Sequence, residues 1–264
     1  MYAFTYVRPN TLAAATAALK ESEARALAGG MTILPTLKLR LAAPSQLVDL
    51  SALEELKGIR LEKRALSVGA LTCHADVAAS PDIRRALPAL AALAAGIGDA
   101  QVRNRGTIGG SVANNDPAAD YPAAVLGLNA TIRTDRREIG ADLFFRDLFT
   151  TALEPGELIR EIVFPLPKRA GYSKFRNPAS LYAMVGVFVA DTDSGIRVAV
   201  TGAGSRVFRS TPIEQALGKS FTAAALADVK VPATGLNEDL HGSAEYRAHL
   251  IPVVARRAVA AALA

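Results

Sequence analysis

The chain has 264 residues, half of them hydrophobic, enough for about two domains with a sizeable core, and its charged fraction of 21% without single-sign runs excludes extended disorder. The net charge of +5, from 30 basic against 25 acidic residues, is scattered without interleaved aromatics; it suits an anionic small molecule, and no nucleic-acid site is expected. One cysteine, Cys73, excludes an intrachain disulfide and a cysteine-ligated iron–sulfur cluster held by this chain alone, and His74, His241 and His249 lack zinc spacing.

The opening MYAFTYVRPNT has no apolar signal region, and no apolar run reaches the roughly 18 residues of a membrane span, so a soluble, cytoplasmic protein is expected. Residues 4–7 read as a strand stopped by Pro9. Asn10 or Thr11 can cap the helix that follows. Residues 25–28 form a second short strand, then come Gly29 and Gly30, and then a helix-like run, ILPTLKLRLA. Strand, double glycine and helix start is an order in which backbone amides can hold a phosphate. A tight turn without a ligand is the other reading of the same residues. Residues 46–50 add a strand, making β-α-β-α-β. No G-x-G-x-x-G follows the first strand, which argues against a Rossmann nicotinamide site.

Residues 59–61 and 65–69 read as a hairpin, and Thr72 or Asp76, Pro81 and Pro88 each open a helix. The last of these leads into residues 97–121, IGDAQVRNRGTIGGSVANNDPAADY, which have neither a 2 nor a 3.6 period and read as neither strand nor helix. Thr107, Ile108, Gly109 and Gly110 in this stretch form a second glycine turn. Glycines allow close approach to a ligand, and successive free N–H groups make an anion site. Arg103 and Arg105 add positive potential; cofactor phosphate, a partner and solvent all remain open for them. Asp116 reads as a turn or cap residue, and His74 as a helix-capping or surface residue.

Pro122 starts a helix, residues 130–134 and 158–164 are strands, and residues 165–171 (PLPKRAG) mark a boundary. Beyond it, strands at 172–175, 184–190 and 197–202 precede helices at 211–217, at 222–229 and from about 243, the order of a separate α+β domain.

AGGMTILPTLKLRL, QVRNRGTIGGSVANNDPAADYPAAVL, YSKFRNPASLYAMVGVFVA and GSAEYRAHLIPVVARRA together resemble the FAD-binding medium subunit of the molybdenum hydroxylases, the xanthine dehydrogenase and carbon monoxide dehydrogenase family. The resemblance covers essentially the whole chain in order. It implies an α+β fold: a vanillyl-alcohol-oxidase-type FAD-binding domain over residues 1–167, in two α/β subdomains of about 1–55 and 56–167. A C-terminal domain of three strands and three helices would then occupy 168–264. It implies non-covalent FAD held by Leu27, Ala28, Gly29, Gly30, Met31, Thr32 and Ile33 from the first turn, and Thr107, Ile108, Gly109, Gly110 and Ser111 from the second. Both turns would embrace the pyrophosphate. Ile97, Asp120, Ile159, Lys174 and Tyr182 complete the expected set. Where relatives often read Gly-Gly-Thr-Asp or Gly-Gly-Gln-Ser, this chain has Gly30-Met31-Thr32, so its first loop must rely on backbone amides and Thr32. The resemblance further implies two partners, a molybdopterin-binding large subunit and a [2Fe-2S] small subunit, with electrons passing through FAD to an external acceptor. No acid–base or nucleophilic catalyst and no metal ligand is expected here. A free-standing FAD reductase of the same fold and a cofactor-poor assembly subunit are the alternative functions.

Overall fold

Turns marked by glycine and proline divide the chain into three sheet-forming stretches in a computed structural model that describes residues 1–264. The first contains β1 (Thr5–Val7), α1 (Leu12–Ala18), β2 (Ala24–Leu27), α2 (Ile33–Lys38) and β3 (Gln46–Asp49). Its sheet is parallel in the order β1-β3-β2, and the central strand buries Leu47 and Val48. Thr11 caps α1, accepting from the Ala14 N–H at 3.2 Å. α2 ends sooner than its apolar run, because Arg40 takes φ 59°.

The second stretch opens with the hairpin β4 (Ile59–Glu62) and β5 (Ala65–Gly69). Six short helices follow: α3 (His74–Ala79), α4 (Pro81–Ala86), α5 (Pro88–Ala95), α6 (Ala100–Arg105), α7 (Ile108–Asn114) and α8 (Tyr121–Gly127). Then come β6 (Thr131–Thr134), β7 (Glu138–Gly140), α9 (Ala141–Phe144), the small hairpin β8 (Phe145–Asp147) and β9 (Thr150–Thr151), and β10 (Ile159–Pro165). The main sheet is antiparallel in the order β4-β5-β10-β6-β7. The expectation that residues 97–121 are neither helix nor strand is corrected: they hold α6 and α7. Capping rather than periodicity makes these helices. Asp99 accepts from the Val102 N–H at 2.8 Å, and Thr107 from the Gly110 N–H at 3.1 Å. Asn115, left-handed at φ 46°, stops α7.

The third stretch has three long antiparallel strands, β11 (Arg169–Arg176), β12 (Ala183–Thr192) and β13 (Gly195–Thr201), with a two-residue edge strand β14 (Phe208–Arg209). Helices α10 (Thr211–Lys219) and α11 (Ala244–Leu263) follow. The helix expected at 222–229 is a single 3-10 turn, Ala224–Leu226, since so short a segment seldom sustains an isolated helix and only Leu226 is buried in it. One face of β12, Val185, Val187 and Val189, packs with Ile251, Val254 and Ala258 of α11. The other face, Phe188 and Ala190, packs with Leu90 of α5 and Ala124 of α8. Burial on both faces explains why this strand is a continuous apolar run. No helix is long and apolar enough to cross a membrane.

Candidate functional site

The two glycine segments meet in space. Gly29, just past β2, lies against the turn between α6 and α7: a Cβ there would collide with the Arg105 carbonyl oxygen and come within 2.8 Å of Gly106 Cα. Gly110, in the first turn of α7, would carry a Cβ 3.7 Å from Ala28 Cβ. The segments border a cleft of about 580 Å³, within the range of small-molecule sites.

The segments contribute different chemistry. The N–H groups of residues 28–33 have no backbone acceptor, and the Thr32 side chain caps nothing. With Gly30 at φ 78°, they form an open turn of unused donors, the arrangement that receives anions. In α7 the corresponding amides are consumed. Ile108 N–H donates to Thr72 O at 3.1 Å, Gly109 N–H to Ala70 O at 2.9 Å, Gly110 N–H to Thr107 Oγ1 and Ser111 N–H to Thr107 O at 3.0 Å. The expectation that both glycine turns offer amides is therefore corrected: the first does, and the second presents a close-packed surface with the Ser111 side chain beside it. Gly109 is glycine for a reason internal to the protein, since its Cβ would fall 2.5 Å from Ala70 Cβ and 2.7 Å from Ala70 O.

All the cofactor-binding residues that the resemblance implies line this cleft except Leu27, Ile108 and Lys174. These three stand apart from its lining. Leu27 closes β2 before the turn begins, Ile108 is fully buried in the core, and Lys174 reaches inward to Asp120. The expected surface or capping role of His74 is also corrected. It is buried in the cleft wall, its ring 5.2 Å from that of Tyr121, and burial holds its pKa at about 4, so it is neutral at pH 7. Asp116 keeps its turn role, accepting from the Ala118 N–H at 2.8 Å. Arg103 donates to the carbonyls of Ile97 at 3.0 Å and Gly98 at 2.9 Å, and so fastens a turn. Ile97, Leu153 and Ile159 give one side of the cleft an apolar lining. Tyr182 is half-exposed at the rim. Its loop, residues 177–182, closes on itself: Asn177 N–H donates to Tyr182 O at 2.8 Å, and Leu181 takes φ 62°.

Asp120 is buried, hydrogen-bonded by the Tyr172 hydroxyl and paired with Lys174 Nζ at 2.9 Å. Burial raises its pKa above the ordinary carboxylate value, against the pull of Lys174 and Tyr172. Sequence reasoning missed Tyr172, although its i, i+2 spacing to Lys174 puts both on one face of β11. It also missed Glu157, which lines the cleft and accepts from Thr134, Arg137 and the Glu154 N–H. Burial pushes the Glu157 carboxyl up, and the Arg137 guanidinium with these donors outweighs it, bringing the pKa from 4.5 down to about 2. A depressed carboxyl stabilises the fold above pH 4.5 and loses that contribution as pH falls toward 2. The difference corresponds to about 3 kcal/mol. Urea midpoints should therefore fall between pH 5 and pH 3 in the wild type, and fall less in Glu157→Gln, which starts lower; parallel declines would contradict this.

Comparison with known proteins decides the family. Residues 2–167 match the family described as "FAD binding domain in molybdopterin dehydrogenase". The chain belongs to that family. It is an FAD-binding subunit of the oxidoreductase class. It is 36% identical to the carbon monoxide dehydrogenase medium chain of Hydrogenophaga pseudoflava, over 99% of this chain and 97% of that one. It is 33% identical to the glyceraldehyde dehydrogenase medium chain of Sulfolobus acidocaldarius, over 97% and 96%. Among solved structures, the Hydrogenophaga pseudoflava carbon monoxide dehydrogenase superposes with a TM-score of 0.87 over 98% of this chain and 97% of that chain. A Cu,Mo-CO dehydrogenase superposes with a TM-score of 0.89 at 32% identity, over 99% and 98%. The FAD-binding subunit thus has the α+β fold of these medium chains, which are parts of multi-subunit complexes. The cleft fits FAD, with unused amides for a diphosphate and an apolar side for a planar ring.

Proposed function

We propose that this chain is the FAD-carrying subunit of a molybdenum hydroxylase-type complex, relaying electrons from a partner iron–sulfur subunit to an external acceptor. A molybdopterin-binding large subunit and a [2Fe-2S] small subunit are its partners. The observation that carries the reading is the open row of amides at residues 28–33, set against α7 across one cleft. These amides hold the diphosphate, and Thr32 and Ser111 add hydroxyls beside it. Ile97 and Ile159 pack on the apolar part of the cofactor and exclude water. Asp120, steadied by Lys174, accepts a hydrogen bond from it, and Tyr182 covers it at the rim. When bound, FAD supplies the redox chemistry, while the protein supplies binding and orientation. With Cys73 as the only cysteine, a cysteine-ligated cluster has to sit on another chain.

Purified protein should carry or take up stoichiometric FAD, seen as visible flavin absorbance, and a tagged chain should co-elute with a cysteine-rich chain and a molybdopterin-binding chain. Colourless protein that takes up no FAD would overturn the cofactor assignment. Flavin-loaded protein that elutes alone from its native cells would overturn the partners.

A further inference from the structure

Residues 116–120 belong to no helix or strand, and Asp116, Ala119 and Asp120 among them line the cleft. Within the segment, only the turn at Asp116 holds it: Asp116 Oδ1 accepts from Ala118 N–H and Asp116 O from Ala119 N–H at 3.0 Å. Segments with so few bonds of their own open at low free-energy cost. What fixes this one comes from the far side of residue 167. Thr201 Oγ1, at the end of β13, lies 2.9 Å from Pro117 O and 2.6 Å from Ala119 O, so its single proton is shared between two carbonyls. The next residue, Gly202, donates its N–H to Pro117 O at 2.7 Å. From β11, the Tyr172 hydroxyl and Lys174 Nζ take one oxygen each of Asp120.

These holds are themselves braced. Gly202 sits at φ 82°, and a Cβ there would meet Met184 O at 2.8 Å, so the position admits only glycine. Arg247 of α11 donates to Gly202 O at 3.0 Å and Met184 O at 2.7 Å, while its other nitrogen is paired with Asp239. The Tyr172 hydroxyl lies over Gly186, whose Cβ would come 2.6 Å from it. Neither Thr201 nor Tyr172 lines the cleft.

We propose that Thr201 and Tyr172 are positioning residues for the cofactor cleft, acting on it through the segment 117–120. The inference rests on reading that cleft as the FAD site. Removing the Thr201 hydroxyl leaves the Ala119 carbonyl without its donor and Pro117 O with the Gly202 N–H alone. Removing the Tyr172 hydroxyl leaves one oxygen of Asp120 unheld, and its carboxylate no longer points one way.

The test measures FAD affinity of the full chain by fluorescence titration, beside the melting temperature of the cofactor-free protein. Thr201→Val and Tyr172→Phe should each raise the dissociation constant about ten-fold or more, the usual scale for one lost buried hydrogen bond. Thr201→Ser, which keeps the hydroxyl, should bind as the wild type does. Gly110→Val, which obstructs the cleft directly, serves as the control for the site. If Gly110→Val loses FAD while Thr201→Val and Tyr172→Phe bind normally, the positioning role is overturned and the site stands. If Gly110→Val binds normally, the site reading fails and takes this inference with it. Equal weakening in Thr201→Ser and Thr201→Val would assign the effect to packing and remove Thr201 from the proposal. Should Thr201→Val not fold, Tyr172→Phe, which keeps its ring in place, decides the matter alone.

Discussion

Gly110→Val should remain folded and lose FAD, whereas its neighbour Gly109→Val should lose stability before any question of binding arises. Both glycines stand in the first turn of α7, yet they face different things. From Gly110 a Cβ would lie 2.9 Å from Thr107 Oγ1 and 3.7 Å from Ala28 Cβ. The first contact disturbs the helix cap, at a cost of about 1 kcal/mol. The second places the valine methyls in the gap between α7 and the open amides of residues 28–33, where they obstruct a diphosphate. From Gly109 a Cβ would press on Ala70, both side chain and backbone, at 2.5–2.8 Å. To admit valine, α7 must lift from the end of β5 and give up the Gly109 N–H to Ala70 O bond. Such overpacking costs about 3 kcal/mol or more. Urea midpoints of the cofactor-free variants and FAD titration of those that fold separate the two effects. Normal FAD affinity in Gly110→Val, or wild-type stability in Gly109→Val, would contradict the assignment.

Lys174→Met should be the more damaging change to the fold at neutral pH. Lys174 and Asp120 leave only 4% and 5% of their side chains exposed, so the pair is screened by almost no water. Removing the ammonium strands a buried carboxylate, for which about 3–5 kcal/mol is the usual penalty. Asp120 already has a raised pKa, and without Lys174 it rises further. A carboxyl whose folded pKa lies above its unfolded value binds more protons in the folded state, so stability falls as pH rises between the two. The deficit of Lys174→Met should thus be greatest at neutral pH and shrink on acidification, when Asp120 is neutral. Adding Asp120→Asn should recover much of the loss. Chemical denaturation of the wild type, the single variant and the pair at pH 5 and pH 7.5 measures this; a deficit independent of pH, with no recovery in the pair, would dismiss the ion pair as its cause.

Much of the cleft lining was legible before the structure because its marks are local. Gly29-Gly30 after a strand and Thr107 before Gly109-Gly110 are chemical requirements that a few consecutive residues express. The strand over 184–190 announced itself by a continuous apolar run. The misreadings have one origin. Residues 97–121 lack a hydrophobic period because α6 and α7 are short and depend on the caps at Asp99 and Thr107. His74 was read as a surface or capping residue because nothing near it in sequence reveals that Gly106 and Tyr121 pack around it.

The sequence by itself determined where the backbone can turn without a Cβ, that any cysteine-bound cluster belongs to another chain, and which family the chain resembles. Only the tertiary structure decided which amides remain free. The acceptors that silence Ile108 and Gly109 are Thr72 O and Ala70 O, contributed by a segment over thirty residues away. It likewise decided that Asp120 is held from β11 and that Gly109 makes room for Ala70. A hydrogen bond or a steric contact belongs to two residues at once, and the position of the second is set only when the chain has folded.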